Sequence, residues 1–258
     1  MSDIKLGVQL YTLRNQCKDA EGLEKTFKFL QSIGCNVIQI SGIGDIAPET
    51  VAELVKKYDM DVCVTHKPYN RMKFDLEALC HEHDLIDCNY IGIGSMPGTV
   101  HESAEGITGF IHKVNEISAE MKKYGKQLCY HNHAFEFEKH DGMRTMERLI
   151  EETSKDTLYF IPDTYWLQYG GVNPADYIRK LDGRVEVCHF KDMKIDGHTQ
   201  KFAECGTGNI DLGACYRACK DIGVNYIVIE QDDCYDKDPY ESVKIGFEGL
   251  KRIAEENK

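Results

Sequence analysis

The chain has 258 residues, enough to bury a large core, and could form one α/β domain or two smaller ones. Its 42% hydrophobic and 29% charged residues are those of an ordinary globular protein. A formal charge of −12 argues against a nucleic-acid backbone binder, which needs a basic face; a small anionic substrate in a locally basic pocket stays open.

In chain order, one alternation repeats. The apolar runs "IKLGVQLY", "NVIQIS", "DVCVTH", "NYIGIGSM", "KQLCYHNH", "TLYFIPDTYW", "RVEVCHFKD" and "NYIVIEQDD" read as strands. Amphipathic helical patterns follow them: "GLEKTFKFLQSIG", "PETVAELVKKYD" with Pro48 near its start, "FDLEALCHEHDLI", a stretch from about Glu102 to Tyr124, "RTMERLIEET", "NPADYIRKL", "LGACYRACKDIG" after a long loop, and "YESVKIGFEGLKRIAEE". Glycines in "SIGC", "KYGK", "KLDGR" and "DIGV" fit left-handed helix ends. Eight strand–helix units in about 250 residues predict a single-domain (β/α)₈ TIM barrel over 1–258. An open doubly wound sheet is the alternative, but "QLYTLRNQ" after the first strand is not a glycine-rich phosphate loop.

No run approaches the roughly 18 apolar residues of a membrane span. "MSDIKLGVQL" does not read as a signal peptide, so a cytoplasmic location is expected. The eleven cysteines are scattered with no CxxC pair, and Cys63, Cys129 and Cys188 lie in apolar runs. They read as small reduced hydrophobes, not as a zinc ribbon or disulfide framework.

In such a barrel the chemistry belongs at the C-terminal strand ends. There the sequence places Gln9 and Tyr11, then His66 and Lys67, His131 and His133, Asp163, His189 and Lys191, and Glu230. Residues two apart share a face, so His131 pairs with His133 and His189 with Lys191. Asp163, His189 and Glu230 lie on neighbouring strands and converge if all face the lumen. An imidazole with two carboxylates suits Mn²⁺, Co²⁺, Fe²⁺, Zn²⁺ or Mg²⁺, and burying such groups without a cation is costly. Singly, each has a plainer reading: Asp163 as a helix cap, Glu230 as a lysine partner, "EFEKH" as a solvated loop. His81, His83, His101, His112 and His198 read as structural or solvent-facing.

The motifs "GVQLYTLR", "YHNHAFEF", "PDTYW", "CHFKD", "CGTGNID" and "IEQD" together resemble the xylose isomerase-like barrel family, the sugar phosphate isomerase/epimerase superfamily that also includes endonuclease IV. The resemblance spans essentially the whole chain. It implies one divalent metal, commonly Mn²⁺, held by an acidic residue after strand five, Asp after six, His after seven and Glu after eight. Asp163, His189 and Glu230 match. At strand five, where a glutamate is expected, His131 is the assigned ligand, with His133 next and Glu136 a loop-borne candidate.

The resemblance implies metal-assisted proton transfer on a small sugar, keto-sugar or sugar phosphate through an enediolate: an isomerase or epimerase. Glu230, His133 and Glu136 are the candidate proton-transfer groups, and Lys191 the donor or anion holder. Gln9, His66, Lys67, Trp166 and Glu204 are the candidate substrate contacts. The absent second glutamate sets plain epimerisation against a keto-sugar lyase or dehydratase acting by β-elimination. Endonuclease-like DNA repair and non-catalytic sugar binding are the remaining alternatives. The expected partner is a small sugar, with no nucleic acid and no membrane; homo-oligomerisation stays open. The "CGTGN" loop, Cys205 to Asn209, reads as a flexible turn or as a nest of N–H groups for an anion.

Overall fold

A computed structural model of the chain describes residues 3–258. Eight parallel strands form the barrel: Lys5–Gln9, Val37–Ile40, Asp61–His66, Tyr90–Ile93, Gln127–His131, Tyr159–Ile161, Val187–Phe190 and Tyr226–Ile229. They run sixth–fifth–fourth–third–second–first–eighth–seventh. The sixth and seventh meet through two isolated bridges, Phe160–Val185 and Asp163–His189, which complete the circle. Among the described residues no helix is long and apolar enough to cross a membrane. Every cysteine is free, and all but Cys234 are buried.

The helices form for local reasons. Asp19, Ser103, Asn173, Asp211 and Asp238 accept from the first-turn N–H groups of the helices they precede, and Pro48, Pro174 and Pro239 open theirs. Leu23, Phe27 and Leu30 lie on one face of Ala20–Ser32 and are buried against the sheet. At the opposite end, Gly34 and Gly223 take φ of 76° and 72°, the left-handed conformation expected there.

Strand parity then builds the barrel interior. Cys129, Ile161, Val187 and Val228 belong to one buried apolar cluster with Val37, Cys63 and Val64. Each of the first four lies two residues before His131, Asp163, His189 or Glu230. The same face of each strand therefore fills the lumen with apolar groups and then ends in a polar one.

Three loop expectations are corrected. The segment after the seventh strand is an antiparallel hairpin, Asp192–Asp196 with Thr199–Ala203. The N–H groups of the "CGTGN" loop are already occupied: those of Gly206 and Gly208, with Ile210 just beyond, donate to the Asp192 carboxylate at 3.0, 2.8 and 3.2 Å, and those of Thr207 and Asn209 donate to the Glu204 and Met193 carbonyls. An external anion has no place in that nest. Third, only the later part of "EFEKH" is solvated: Glu138 and Lys139 are exposed, and Glu136 and Phe137 are buried. Phe135–Phe137 is a short 3₁₀ turn that buries Glu136 completely. Its carboxylate accepts from the Tyr130 hydroxyl at 2.5 Å and the His133 N–H at 2.8 Å.

Burial pushes the Glu136 pKa up to about 7 despite those bonds. The folded protein then binds more protons than the unfolded chain between about pH 4.5 and 7, so this group lowers stability as pH rises through that window. Urea unfolding of wild type and Glu136→Gln at pH 4.5 and 8 tests the point. The difference should move in favour of Gln by on the order of 3 kcal/mol on going to pH 8. A pH-independent difference would show that Glu136 carries no such penalty.

Candidate metal centre and cavity

His131, Asp163, His189 and Glu230 come together at the top of the lumen. One donor atom from each lies within 4.8 Å of the others, and all four residues are buried. His131 Nε2 is 3.3 Å from Asp163 Oδ2 and 3.9 Å from Glu230 Oε2. His189 Nδ1 is 3.1 Å from Glu230 Oε2 and 3.8 Å from Asp163 Oδ2. Ligands about 2.1 Å from one ion stand about 3.0–3.4 Å apart as neighbours and about 4.2 Å apart when opposite. The four imidazole–carboxylate separations, 3.1 to 3.9 Å, fall within that span.

Three of the four are aimed by a second contact. His131 Nδ1–H donates to the Gly94 carbonyl at 3.1 Å, which leaves Nε2 with its lone pair toward the cluster. His189 Nε2–H donates to Gln39 Oε1 at 2.6 Å, which does the same for Nδ1. Gln39 reaches it from the second strand, where the pairing with the third strand slips by one residue between Ile38 and Gln39. Asp163 divides its carboxylate: Oδ1 caps the short helix Thr164–Tyr169 at Trp166 N, 3.0 Å away, and Oδ2 faces the cluster.

Lys191 stands beside them. Its Nζ lies 3.3 Å from Asp163, 3.0 Å from Glu230 and 2.9 Å from Asp232. Burial acts against its charge, but the three carboxylates outweigh it and raise its pKa. Burial likewise opposes ionisation of Asp163 and Glu230, and Lys191 reverses this, holding both below the usual carboxylate range. His131 is raised: burial pushes it down, and Asp163 and Glu230 more than compensate. Burial lowers His189, and it pushes His133 down to about 3. Ligation of a metal needs both imidazoles neutral, and in that state three carboxylates face one ammonium, an excess of two negative charges in a buried site. Two imidazole nitrogens, two carboxylate oxygens and that excess fit one divalent cation.

The cluster opens into a cavity of about 890 Å³, lined among others by His66, Lys67, His131, His133, Lys191 and Glu230. His66 lies with its ring centroid 5.2 Å from that of His131 and 5.7 Å from that of His189. Glycines in and just after the fourth strand make its room: a Cβ at Gly92 or Gly94 would come within 2.9 or 3.0 Å of the ring. His66 Nε2 and His133 Nδ1 are buried without a partner.

The other expected site residues lie elsewhere. Trp166 flanks the cluster, 5.2 Å between ring centroids from His133 and 5.2 Å from Lys191 Nζ. Gln9 is fully buried, its Oε1 accepting from Tyr11 N. Glu204 is taken by Lys237 at 2.7 Å and the Ser242 hydroxyl at 3.1 Å, and Glu136 faces Tyr130, not the ligands. Neither glutamate joins the cluster. Gln39, Gly94 and Asp232 were not anticipated. A lone polar residue inside "NVIQIS" and the second acid of "EQDD" were the available signals.

Gln39 gives a direct test. Gln39→Leu leaves the His189 Nε2–H without an acceptor and frees the ring to turn. Affinity for Mn²⁺, measured by chelator competition, should fall about 10–100-fold. Gln39→Glu keeps the acceptor and should retain most of it; equal loss in both variants would rule out this role.

The family described as Xylose isomerase-like TIM barrel matches residues 27–253. Two inosose dehydratases are similar in sequence. That of Geobacillus kaustophilus (strain HTA426) is 24% identical over 131 residues, 44% of this chain and only 41% of the relative. That of Clostridium perfringens (strain 13 / Type A) is 22% identical over 224 residues, 75% of this chain and 72% of the relative. A sugar phosphate isomerase/epimerase from Parabacteroides distasonis ATCC 8503 superposes with a TM-score of 0.81 at 18% identity, over 96% of this chain and 98% of that one. The IOLI protein, whose crystal structure has a binding zinc atom, superposes at 0.75 with 14% identity, over 99% of each chain. The matched span covers nearly the whole barrel, and the chain belongs to the xylose isomerase-like TIM barrel family.

Proposed function

We propose that this chain is a divalent-metal-dependent enzyme that removes the proton beside the carbonyl of a keto-sugar or keto-cyclitol and expels a β-hydroxyl, a dehydratase reaction. The observation that carries this is the composition of the site: four buried candidate donors, one ammonium held protonated and, among the described residues, no second carboxylate free to act across from Glu230. His131, Asp163, His189 and Glu230 would hold the ion. When bound, it supplies Lewis acidity to the carbonyl oxygen, and Mn²⁺ and Zn²⁺ are the ions to try first.

The chain's own groups supply the remainder. His133, neutral and with a free buried Nδ1, takes the proton, with the carboxylates of Asp163 and Glu230 partly offsetting the burial that disfavours its charged form. Lys191 holds a proton 3.0 Å from Glu230 and gives it to the departing oxygen. His66 accepts or donates to a neighbouring hydroxyl through Nε2. Trp166 closes the side beyond His133 and excludes water. The likeness to inosose dehydratases supports the same direction of chemistry.

A second reading, isomerase or epimerase, is favoured by the pair of neutral imidazoles, His66 and His133, which offers two places to exchange a proton. Incubating Mn²⁺-loaded protein with a panel of keto-sugars and inososes in D₂O separates the two. Loss of water with growth of enone absorbance supports elimination. Deuterium uptake with the carbon skeleton and all hydroxyls retained supports isomerisation and rejects the first reading. Neither outcome with any substrate rejects both.

A further inference from the structure

The cavity is larger than the proposed reaction needs. At about 890 Å³ it is near the upper end of small-molecule sites, which run to about 1,000 Å³. A monosaccharide ring over the cluster leaves much of that space empty. The remainder runs sideways from the barrel mouth between the second and third strand–helix units. Ile43, Ile46 and Val51 wall it from one side and Tyr69 and Ile86 from the other. Val51 is buried, and the other four are half-buried.

One cation lies in this lobe without a partner. Lys67, half-buried after the third strand, lines the cavity, and its ammonium makes no hydrogen bond or ion pair. Burial lowers its pKa, and the nearby Arg71 lowers it further; Glu82 acts the other way. Glu82 is already forked by Arg71 at 2.7 and 2.9 Å, and Asp75 takes the same guanidinium. Asp45 lines the cavity but is exposed. Elsewhere on the wall, Arg14 spends its nitrogens on the Tyr11 and Asp232 carbonyls at 2.8 and 3.0 Å, and Lys191 has three carboxylates. Among the described residues Lys67 is the cavity cation left unmatched, in a chain with 43 acidic and 31 basic residues. A half-buried ammonium with no hydrogen-bond partner of its own gains most from a charged group that arrives beside it.

We propose that this lateral lobe is a subsite for an anionic group carried on an apolar stem, a carboxylate above all, with Lys67 as its counter-charge. It rests on the keto-sugar reading only for the other half of the ligand. The substrate class becomes a keto-sugar bearing an acidic, largely hydrocarbon substituent.

The test uses benzoate and benzyl alcohol, two probes with one ring and different charge, titrated into metal-free and Mn²⁺-loaded protein by calorimetry or NMR. Wild type should bind benzoate at least 10-fold more tightly than benzyl alcohol, equally in both metal states. Lys67→Met should erase that preference, and Lys67→Arg should keep it. Mn²⁺ affinity should be the same in all three. No preference in wild type, an undiminished preference in Lys67→Met, or benzoate binding only with Mn²⁺ present overturns the proposal. No turnover enters the measurement, so failure of the catalytic reading and failure of this one are seen separately.

Discussion

Replacing Glu230 by Gln is expected to remove divalent-ion binding and turnover together. The amide has the shape of the carboxylate but no charge, so the site's excess over Lys191 falls from two negative charges to one. Its NH₂ group can also donate to His189 Nδ1, 3.1 Å from the present carboxylate oxygen, and cap the lone pair that would meet the ion. Asp163→Asn makes the same change on the neighbouring strand, and its Oδ1 can still cap Trp166 N, so the helix start is preserved. Each variant should lose more than about 10²-fold in Mn²⁺ affinity, beyond the 10–100-fold that follows loss of a supporting residue. Chelator competition reads this directly. Thermal unfolding of the metal-free proteins should change little. A Glu230→Gln protein that binds Mn²⁺ like wild type would mean the four buried donors are not a metal centre.

Lys191→Met should move two readouts in opposite directions. Its ammonium sits 3.0 and 3.3 Å from the two oxygens that would hold the ion, and it repels a second cation there. Removing it should tighten Mn²⁺ binding several-fold. It should also lower kcat by about 10²–10⁴-fold, the usual range for loss of a positioned acid. Met keeps much of the apolar stem packed near Trp166 and Phe202, so a folding defect is not the expected cause. Weaker binding accompanied by lost activity would make Lys191 part of the site's architecture and not its proton donor.

Much of this site is legible in the sequence because a parallel barrel turns a one-dimensional rule into a ring. Once the eight strands are placed, alternation puts His131, Asp163, His189 and Glu230 on one face and one level. What stays hidden depends on partners across the barrel. Gln39 follows the same alternation, two residues after the lumen-facing Val37, but its role appears only once His189 of the seventh strand stands across from it. Glu136 looks like loop polarity until Tyr130, on the outward face of the fifth strand, turns its hydroxyl to it. Asp192 closes a nest of N–H groups that glycine spacing alone offers equally to a phosphate. In all three cases a side chain fills a need set by another part of the chain, and local pattern does not carry that information.

The closure of the barrel has its own consequence. Among the described residues the sixth and seventh strands share two isolated bridges, one of them between Asp163 and His189, where the other neighbours form ladders. The thinnest seam of the wall thus passes through two of the four donors. An ion shared by those two side chains would rivet that seam, so loading the site and stiffening the cylinder would become one event. Amide hydrogen exchange at Phe160 and His189, whose N–H groups bond to Arg184 O and Pro162 O across it, should slow on adding Mn²⁺ while the ladder between the first and second strands stays unchanged.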